Sequence, residues 1–289
     1  MLPAPTLLLL LALQPAVSYK QPIEDQRIEA FQLAKNWEGL AEYMETFTPQ
    51  QRANRLYAWQ EALEKSRRWA RLLEVCEELA RRNKGEAEPV LTHFKGRALS
   101  ELGRHSEALV WFRDAGKRGD TAGYLEACHE AVTLADWKAL QGVAEALVEK
   151  FPTNGVYLGV LGEALAKQGR FQEAEAPLNE AVHLAPKRAM SWADLACCYN
   201  ERAEYAQAHE AASQAVLQDP KLMEGWSNRG RACMGLKRYK EGREDYAAAL
   251  ALGPKDPAVV QNLTRNIAEA DRYLAYLRGL PAKRPARKP

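Results

Sequence analysis

The amino-acid sequence predicts an all-α fold, an α-solenoid of about seven helical hairpins that ends in a single covering helix. Three observations lead to this prediction. Apolar residues recur at helical spacing, similar residues recur every 34 positions between residues 155 and 254, and a proline closes each of these periods. A fixed period of this length indicates stacked copies of one supersecondary unit, because a single helical hairpin leaves apolar surface exposed.

The period is clearest at the prolines that close three successive copies, Pro186, Pro220 and Pro254. Bulky, aromatic and small positions share the same spacing: Leu158, Trp192, Trp226; Phe171, Tyr205, Tyr239; Gly162, Ala196, Gly230; Ala174, Ala208, Gly242; and Ala181, Ala215, Ala249. Within the second copy, Trp192, Ala196 and Tyr199 fall on one face of a helix. Asp219-Pro220 ends the second helix, since proline cannot continue it. Each copy is therefore predicted to be two closely packed helices.

This pattern resembles the tetratricopeptide repeat, which has a bulky residue, a small residue four positions later, an aromatic that opens the second helix, two spaced alanines and a closing proline. The resemblance implies a right-handed α-solenoid in which the first helix of each repeat lines a concave face. It also implies a protein that binds a peptide or a partner helix on that face.

The residue that opens each second helix traces the repeat back towards the N-terminus: Trp37, Trp69, His105, Trp137, Phe171, Tyr205 and Tyr239. Residues 19–279 are therefore predicted to hold an array of seven repeats. Five carry the pattern, 89–120, 121–152, 155–186, 189–220 and 223–254, although 121–152 is degenerate and is identified by its closing proline, Pro152. The repeats 21–52 and 53–88 are degenerate, because Ile28 and Gln60 occupy the small-residue position. Asp256-Pro257 then predicts the start of a capping helix over 257–279.

Residues 1–18 have the features of a signal peptide. They contain no charged side chain, Leu7–Leu13 is an apolar run, and the small residues Ala16 and Ser18 stand where a signal peptidase reads. The run is shorter than the roughly 20 residues that span a bilayer, so no transmembrane span is predicted. We expect cleavage before Tyr19 and export to a bacterial periplasm. Secretion and an organelle lumen stay open as alternatives.

The other end of the chain, residues 280–289, is predicted to be a disordered basic tail. From Arg278 to Pro289 there are three prolines, five Lys or Arg and no acid. Because the whole chain carries a net charge of only +2, the rest of it is slightly acidic. A nucleic-acid-binding protein clusters basic residues on one face of its fold, so this distribution disfavours a nucleic-acid partner.

The sequence lacks the common motifs of catalysis and cofactor binding. It contains no phosphate-binding Gly-rich loop, nucleophile elbow or zinc-binding His-Glu-x-x-His. Its five histidines show no short metal-ligand spacing, and its five cysteines are odd in number, which favours free thiols over a disulfide framework. The sequence therefore predicts no enzyme, no small-molecule substrate, no metal and no cofactor.

The resemblance places the partner-binding residues on the first helices of the later repeats and on the capping helix. They are Glu163, Asp194, Asn200, Glu201, Glu224, Asn228, Arg231, Gln261, Asn262 and Arg265. An Asn amide both donates to and accepts from a peptide backbone. We expect a non-catalytic adaptor or scaffold in an exported envelope assembly. Two alternatives stay open, a self-associating structural scaffold and a regulatory or assembly subunit of an enzyme complex.

One subtype of the family is disfavoured by the residues themselves. Co-chaperone members hold a C-terminal carboxylate with two Lys, two Asn and one Arg. Around Asn228, the corresponding positions are Ala193, Cys197, Ala258 and Asn262, so four of the five clamp positions differ. We therefore expect no receptor for chaperone C-terminal tails of that type.

Overall fold

The computed structural model describes residues 23–48, 51–52, 54–82 and 89–279. These residues form fifteen bounded α-helices and contain no strand, so the predicted all-α fold is confirmed. The predicted signal peptide, 1–18, and the predicted basic tail, 280–289, lie outside the described residues. None of the described helices combines the length and the apolar character needed to cross a membrane.

Seven helical hairpins follow one another along the chain, and a single helix comes after them. Their helices are α1 (Ile23–Leu33) and α2 (Trp37–Glu45), α3 (Leu56–Lys65) and α4 (Trp69–Arg82), α5 (Pro89–Glu101) and α6 (His105–Lys117), α7 (Thr121–Thr133) and α8 (Trp137–Lys150), α9 (Gly155–Lys167) and α10 (Phe171–Leu184), α11 (Ala189–Glu201) and α12 (Tyr205–Gln218), α13 (Met223–Gly235) and α14 (Tyr239–Ala251), and α15 (Pro257–Leu277). The chain divides into two compact units, residues 1–87 with the first two hairpins and residues 88–289 with the other five and α15.

The same turn joins the two helices of every hairpin. Two positions before each second helix stands a residue with φ between 51° and 75°: Lys35, Arg67, Gly103, Ala135, Gly169, Ala203 and Lys237. The residue after it donates its backbone N–H to a carbonyl five positions back, as Glu204 does to Tyr199 at 2.9 Å. This bond satisfies a carbonyl at the end of the first helix. Since five of the seven left-handed residues are not glycine, helix packing holds the turn against its backbone preference.

Small residues allow the two helices of a hairpin to approach closely. A Cβ placed on Gly162 of α9 would lie 2.4 Å from Cγ of Leu178 on α10. The Leu178 side chain is itself completely buried in a core cluster with Leu165 and Leu195. In the last hairpin, a Cβ on Gly230 of α13 would lie 3.1 Å from the carbonyl oxygen of Gly242 on α14. These positions therefore require small residues for a steric reason.

A second repeated contact links the end of one hairpin to the beginning of the next. The Nε1–H of Trp192 donates to the carbonyl of Pro186 at 2.8 Å, and the Nε1–H of Trp226 donates to the carbonyl of Pro220 at 2.8 Å. The two tryptophans are 34 residues apart, and so are the two prolines, so the same contact recurs in successive repeats. Each indole thus packs its ring at a hairpin boundary while its polar N–H remains satisfied.

The N-terminal unit fills its core with larger side chains. Ile28 and Gln60, which occupy the small-residue position, are both buried, and Trp59 is 2% exposed. The Arg52 guanidinium lies 4.9 Å from the centre of the Trp59 ring, and Glu45 accepts from Arg71 Nε at 2.7 Å. The weaker repeat pattern in this unit therefore reflects a different packing of its hairpins, with bulkier side chains between the helices.

The last helix, α15, covers the end of the final hairpin as the sequence predicts. Leu263 on α15 is buried against Tyr246 and Ala249 of α14. The Asp256 side chain caps the helix by accepting from the backbone N–H of Ala258 at 2.8 Å, and proline stands in the first turn.

We predict that Gly162→Ala lowers the free energy of unfolding by about 1–3 kcal/mol, because the added methyl group overlaps the buried Leu178 side chain. Urea denaturation followed by circular dichroism measures this change. Gly142→Ala is the matched control, since an added Cβ there meets nothing within 4 Å on the exposed face of α8. Alanine at 142 should stabilise the protein by about 0.5–1 kcal/mol. Equal effects at both positions would contradict the close contact between α9 and α10.

Candidate partner-binding site

The predicted binding residues lie on α9, α11, α13 and α15 of the C-terminal unit. A cavity of about 390 Å³ opens beside α13 and α15. Three of the predicted residues, Arg231, Asn262 and Arg265, line it. The other lining residues were not predicted from the sequence: Tyr205, Met234, Gly235, Tyr246, Asn266 and Glu269. The structure thus brings part of the predicted set together at the C-terminal end of the array.

The charges in this cavity are unevenly paired. Arg231 forms an ion pair with Glu201, and its hydrogen bond to that carboxylate raises the pKa of Arg231 above its ordinary value. Arg265, in contrast, is exposed and has no acidic partner at ion-pair distance among the described residues. Beside it, Asn266 Nδ2 donates to Asn262 Oδ1 at 2.9 Å. The cavity therefore offers an uncommitted cation next to two amides.

Two predicted asparagines connect neighbouring repeats. Asn200 is 2% exposed, and its Nδ2 donates to the Asn228 carbonyl at 2.9 Å. Asn228 Nδ2 in turn donates to the Ala193 carbonyl at 2.9 Å. Because these bonds run between α11 and α13, both side chains hold the two helices together.

An acidic group occupies the neighbouring part of the face. Asp194 is 7% exposed, and its Oδ2 has no hydrogen-bond partner among the described residues. The pKa of Asp194 is raised to about 7: burial is the largest cause, the nearby Glu163 and Glu224 carboxylates also raise the pKa, and Lys167 and Arg188 lower it. Asp194 is therefore partly protonated near neutral pH.

The other two predicted acidic positions and Gln261 are more accessible. Glu163 Oε2 lies 3.5 Å from Arg188 Nη2, and Arg188 Nη1 also donates to Ser191 Oγ at 2.7 Å. Glu224 is partly buried, and Gln261 is exposed on α15. The set is thus divided into an acidic region on α9, α11 and α13 and the Arg265 cavity on α13 and α15.

A larger cavity, about 940 Å³, lies at the far end of α15 and contains none of the predicted binding residues. The rings of Tyr239 and Tyr273 stack there, with centroids 4.6 Å apart and planes at 6°. Tyr276 beside them is 78% exposed. Sequence reasoning missed this aromatic surface, since its members come from the start of α14 and the last turns of α15.

Asp194 should make stability depend on pH. Its pKa is about 7 in the folded chain against an ordinary value of 3.8, so the folded state keeps a proton that the unfolded state loses between these values. We predict that the free energy of unfolding falls by roughly 2–4 kcal/mol more in the wild type than in Asp194→Asn between about pH 4.5 and about pH 8. Urea denaturation at several pH values measures how the free energy of unfolding of each protein changes with pH. Parallel pH profiles for the two proteins would contradict the burial of this carboxyl group.

Two models described as the tetratricopeptide repeat match residues 129–189 and 223–256. The Hsp70-Hsp90 organizing protein of Triticum aestivum is 24% identical over 111 residues, which are 38% of this chain and 19% of that protein. Tetratricopeptide repeat protein 33 of Homo sapiens is 29% identical over 121 residues, which are 42% of this chain and 46% of that protein. The chain therefore matches less than half the length of either relative.

Solved structures share the fold. A structure of MamA, from residue 41 to its end, from Desulfovibrio magneticus RS-1 covers 57% of this chain and 94% of that chain, with a TM-score of 0.50 and 19% identity. Another MamA structure aligns with 57% of this chain and 91% of its own chain, with a TM-score of 0.50 and 17% identity. At such identities the likeness concerns the fold alone. Residues 129–189 and 223–256 therefore match the tetratricopeptide repeat, the family that the 34-residue period resembles.

Proposed function

We propose that this protein is a non-catalytic adaptor that binds an extended segment of a partner protein on the first-helix face of its C-terminal unit. The observation that supports this best is Arg265, an exposed guanidinium without an acidic partner among the described residues, in a cavity of about 390 Å³. A guanidinium presents five donors in a planar fork that matches a carboxylate. The bound segment therefore carries a carboxylate, from an Asp or Glu side chain or from a chain end.

The amides beside Arg265 suit the backbone of such a segment. The bond from Asn266 Nδ2 to Asn262 Oδ1 leaves the side-chain N–H groups of Asn262 and the side-chain oxygen of Asn266 available as donors and an acceptor. Both residues are one helical turn apart on α15, so they are held in a fixed relation. The acidic group around Asp194 then favours a basic residue elsewhere in the same segment.

The relatives support an adaptor role in general terms. The wheat protein is, by its name, an organizing protein for two other proteins, Hsp70 and Hsp90. In this chain, Ala193, Cys197 and Ala258 occupy positions where a co-chaperone clamp needs charged or amide side chains. We therefore propose a partner other than a chaperone C-terminal tail.

We further propose that the adaptor works outside the cytoplasm, in an envelope assembly of a bacterial periplasm. This rests on the apolar run Leu7–Leu13 and the small residues that precede Tyr19.

Sequencing the N-terminus of the protein recovered from the periplasmic fraction of its host tests the location. We expect Tyr19 as the first residue, because signal peptidase cleaves after small residues that follow an apolar run. A Leu9→Arg/Leu10→Arg variant, whose run is interrupted by charge, should stay unprocessed. A wild-type protein that begins at Met1 and stays with the cytosol would contradict the proposal.

Peptide selection tests the binding face. Peptides chosen from a random display library on the wild-type chain should contain an acidic residue or a free C-terminus, and we expect Arg265→Glu to weaken them about tenfold or more, since a favourable charge contact becomes repulsive. Fluorescence anisotropy of a labelled peptide measures the affinities. Lys240→Glu, an exposed charge reversal on α14, is the matched control and should change the affinity less than about twofold.

Equal binding by wild type and Arg265→Glu would refute the site, and failure to select any peptide would refute the adaptor role. Asn228→Ala is unsuitable here, because it also removes a hydrogen bond between α13 and α11.

A further inference from the structure

A cluster of potential metal ligands lies on three helices of the last two hairpins, apart from the predicted binding residues. His209 is on α12, Cys233 on α13 and Glu241 on α14. One ligand atom from each, an imidazole nitrogen, the thiol sulfur and a carboxylate oxygen, all lie within 4.8 Å of one another. We propose that these three side chains bind a divalent transition-metal ion, Zn²⁺ in first place.

The donor set determines this choice of metal. Thiolate, imidazole and carboxylate are the ligands that Zn²⁺ takes in proteins, at about 2.3 Å from sulfur and about 2.0–2.2 Å from nitrogen or oxygen. Ca²⁺ and Mg²⁺ prefer oxygen ligands alone. Tetrahedral ligands around such an ion stand roughly 3.3–3.8 Å apart, so the present spacing closes with small side-chain rotations. Three protein ligands leave a fourth position for water.

The surroundings of the cluster fix the position of Cys233. Cys233 is completely buried, and its Sγ lies 3.9 Å from Asp245 Oδ2. Asp245 is held by Arg229, which donates to its two oxygens at 3.0 and 2.6 Å. Asp245 is therefore engaged and stays beside the sulfur as a neighbouring negative charge. The thiol releases its proton to solvent when the metal binds.

Arg238 competes with the metal for two of the three side chains. Its Nη1 lies 3.4 Å from His209 Nε2, and its guanidinium also pairs with Glu241. The Arg238 side chain is 43% exposed, so it can turn into solvent without crossing the core. The cluster could be a network of ion pairs or a metal site, and Arg238 distinguishes the two. A network of ion pairs needs the Arg238 side chain, whereas in a metal site the removal of that side chain strengthens metal binding.

Titration of the chelator-treated full chain with Co²⁺ tests the proposal. A Co²⁺ ion bound by a thiolate shows a charge-transfer absorption, and addition of Zn²⁺ should remove it. We expect Cys233→Ala to lose this absorption and His209→Gln to weaken Co²⁺ binding about tenfold or more. Arg238→Gln should bind roughly two- to fivefold more tightly, because a competing exposed cation is gone.

Cys198→Ala is the matched control, since Cys198 is another buried free thiol outside the cluster. It should titrate as the wild type does, and circular dichroism of every variant establishes that it is folded. Absence of the charge-transfer absorption in both the wild type and Arg238→Gln would overturn the proposal. So would its persistence in Cys233→Ala, or weaker Co²⁺ binding by a folded Arg238→Gln. The peptide-binding proposal is unaffected by either result, because Arg265 takes no part in this cluster.

Discussion

Close contact between the two helices of each hairpin is the constraint on which the rest of the structure depends. Where Gly162 meets Leu178, there is no room for a single added methyl group. In the last hairpin, the backbones at Gly230 and Gly242 nearly touch. Because the helices are so close, each hairpin is thin, and side chains from adjacent hairpins reach one another. The bond from Asn200 to the Asn228 carbonyl and the grouping of His209 with Cys233 both follow from that short distance.

The periodic part of this arrangement could be predicted from the sequence. Prolines, aromatics and alanines that recur every 34 residues identify the hairpins and the small-residue contacts, because those features act locally. The N-cap Asp256 and the apolar stripe of α15 likewise identify the final helix. In the N-terminal unit, burial of Ile28 and Gln60 explains why the same period weakens there. A larger residue at a contact position changes how the helices pack, and the period itself carries no information about the new packing.

The roles of individual polar residues were harder to predict. The repeat places Asn200, Asn228 and Asp194 on the first-helix face, but it does not say whether a polar side chain there meets solvent or a neighbouring helix. Asn200 lies in the last turn of α11, where its amide reaches the backbone of α13. The residues at 209, 233 and 241 are 24 and 8 positions apart. A search of the sequence for metal ligands at short spacing does not find these three residues, because only the stacking of the hairpins brings them close in space. On α15, by contrast, Asn266 and Glu269 follow Asn262 and Arg265 by four residues and were accessible to a simple helical count.

The bonds from Trp192 to the Pro186 carbonyl and from Trp226 to the Pro220 carbonyl also bear on how such a chain changes in length. Each bond joins a position in one repeat to the corresponding boundary of the repeat before it. If one whole period is removed or duplicated, every remaining tryptophan still meets an equivalent carbonyl. An insertion or deletion of one residue between the proline and the tryptophan instead rotates the indole away from that carbonyl. A change in length by whole periods of 34 residues therefore preserves these bonds, so duplication of a repeat, rather than a small insertion, is the natural source of variants with a longer first-helix face.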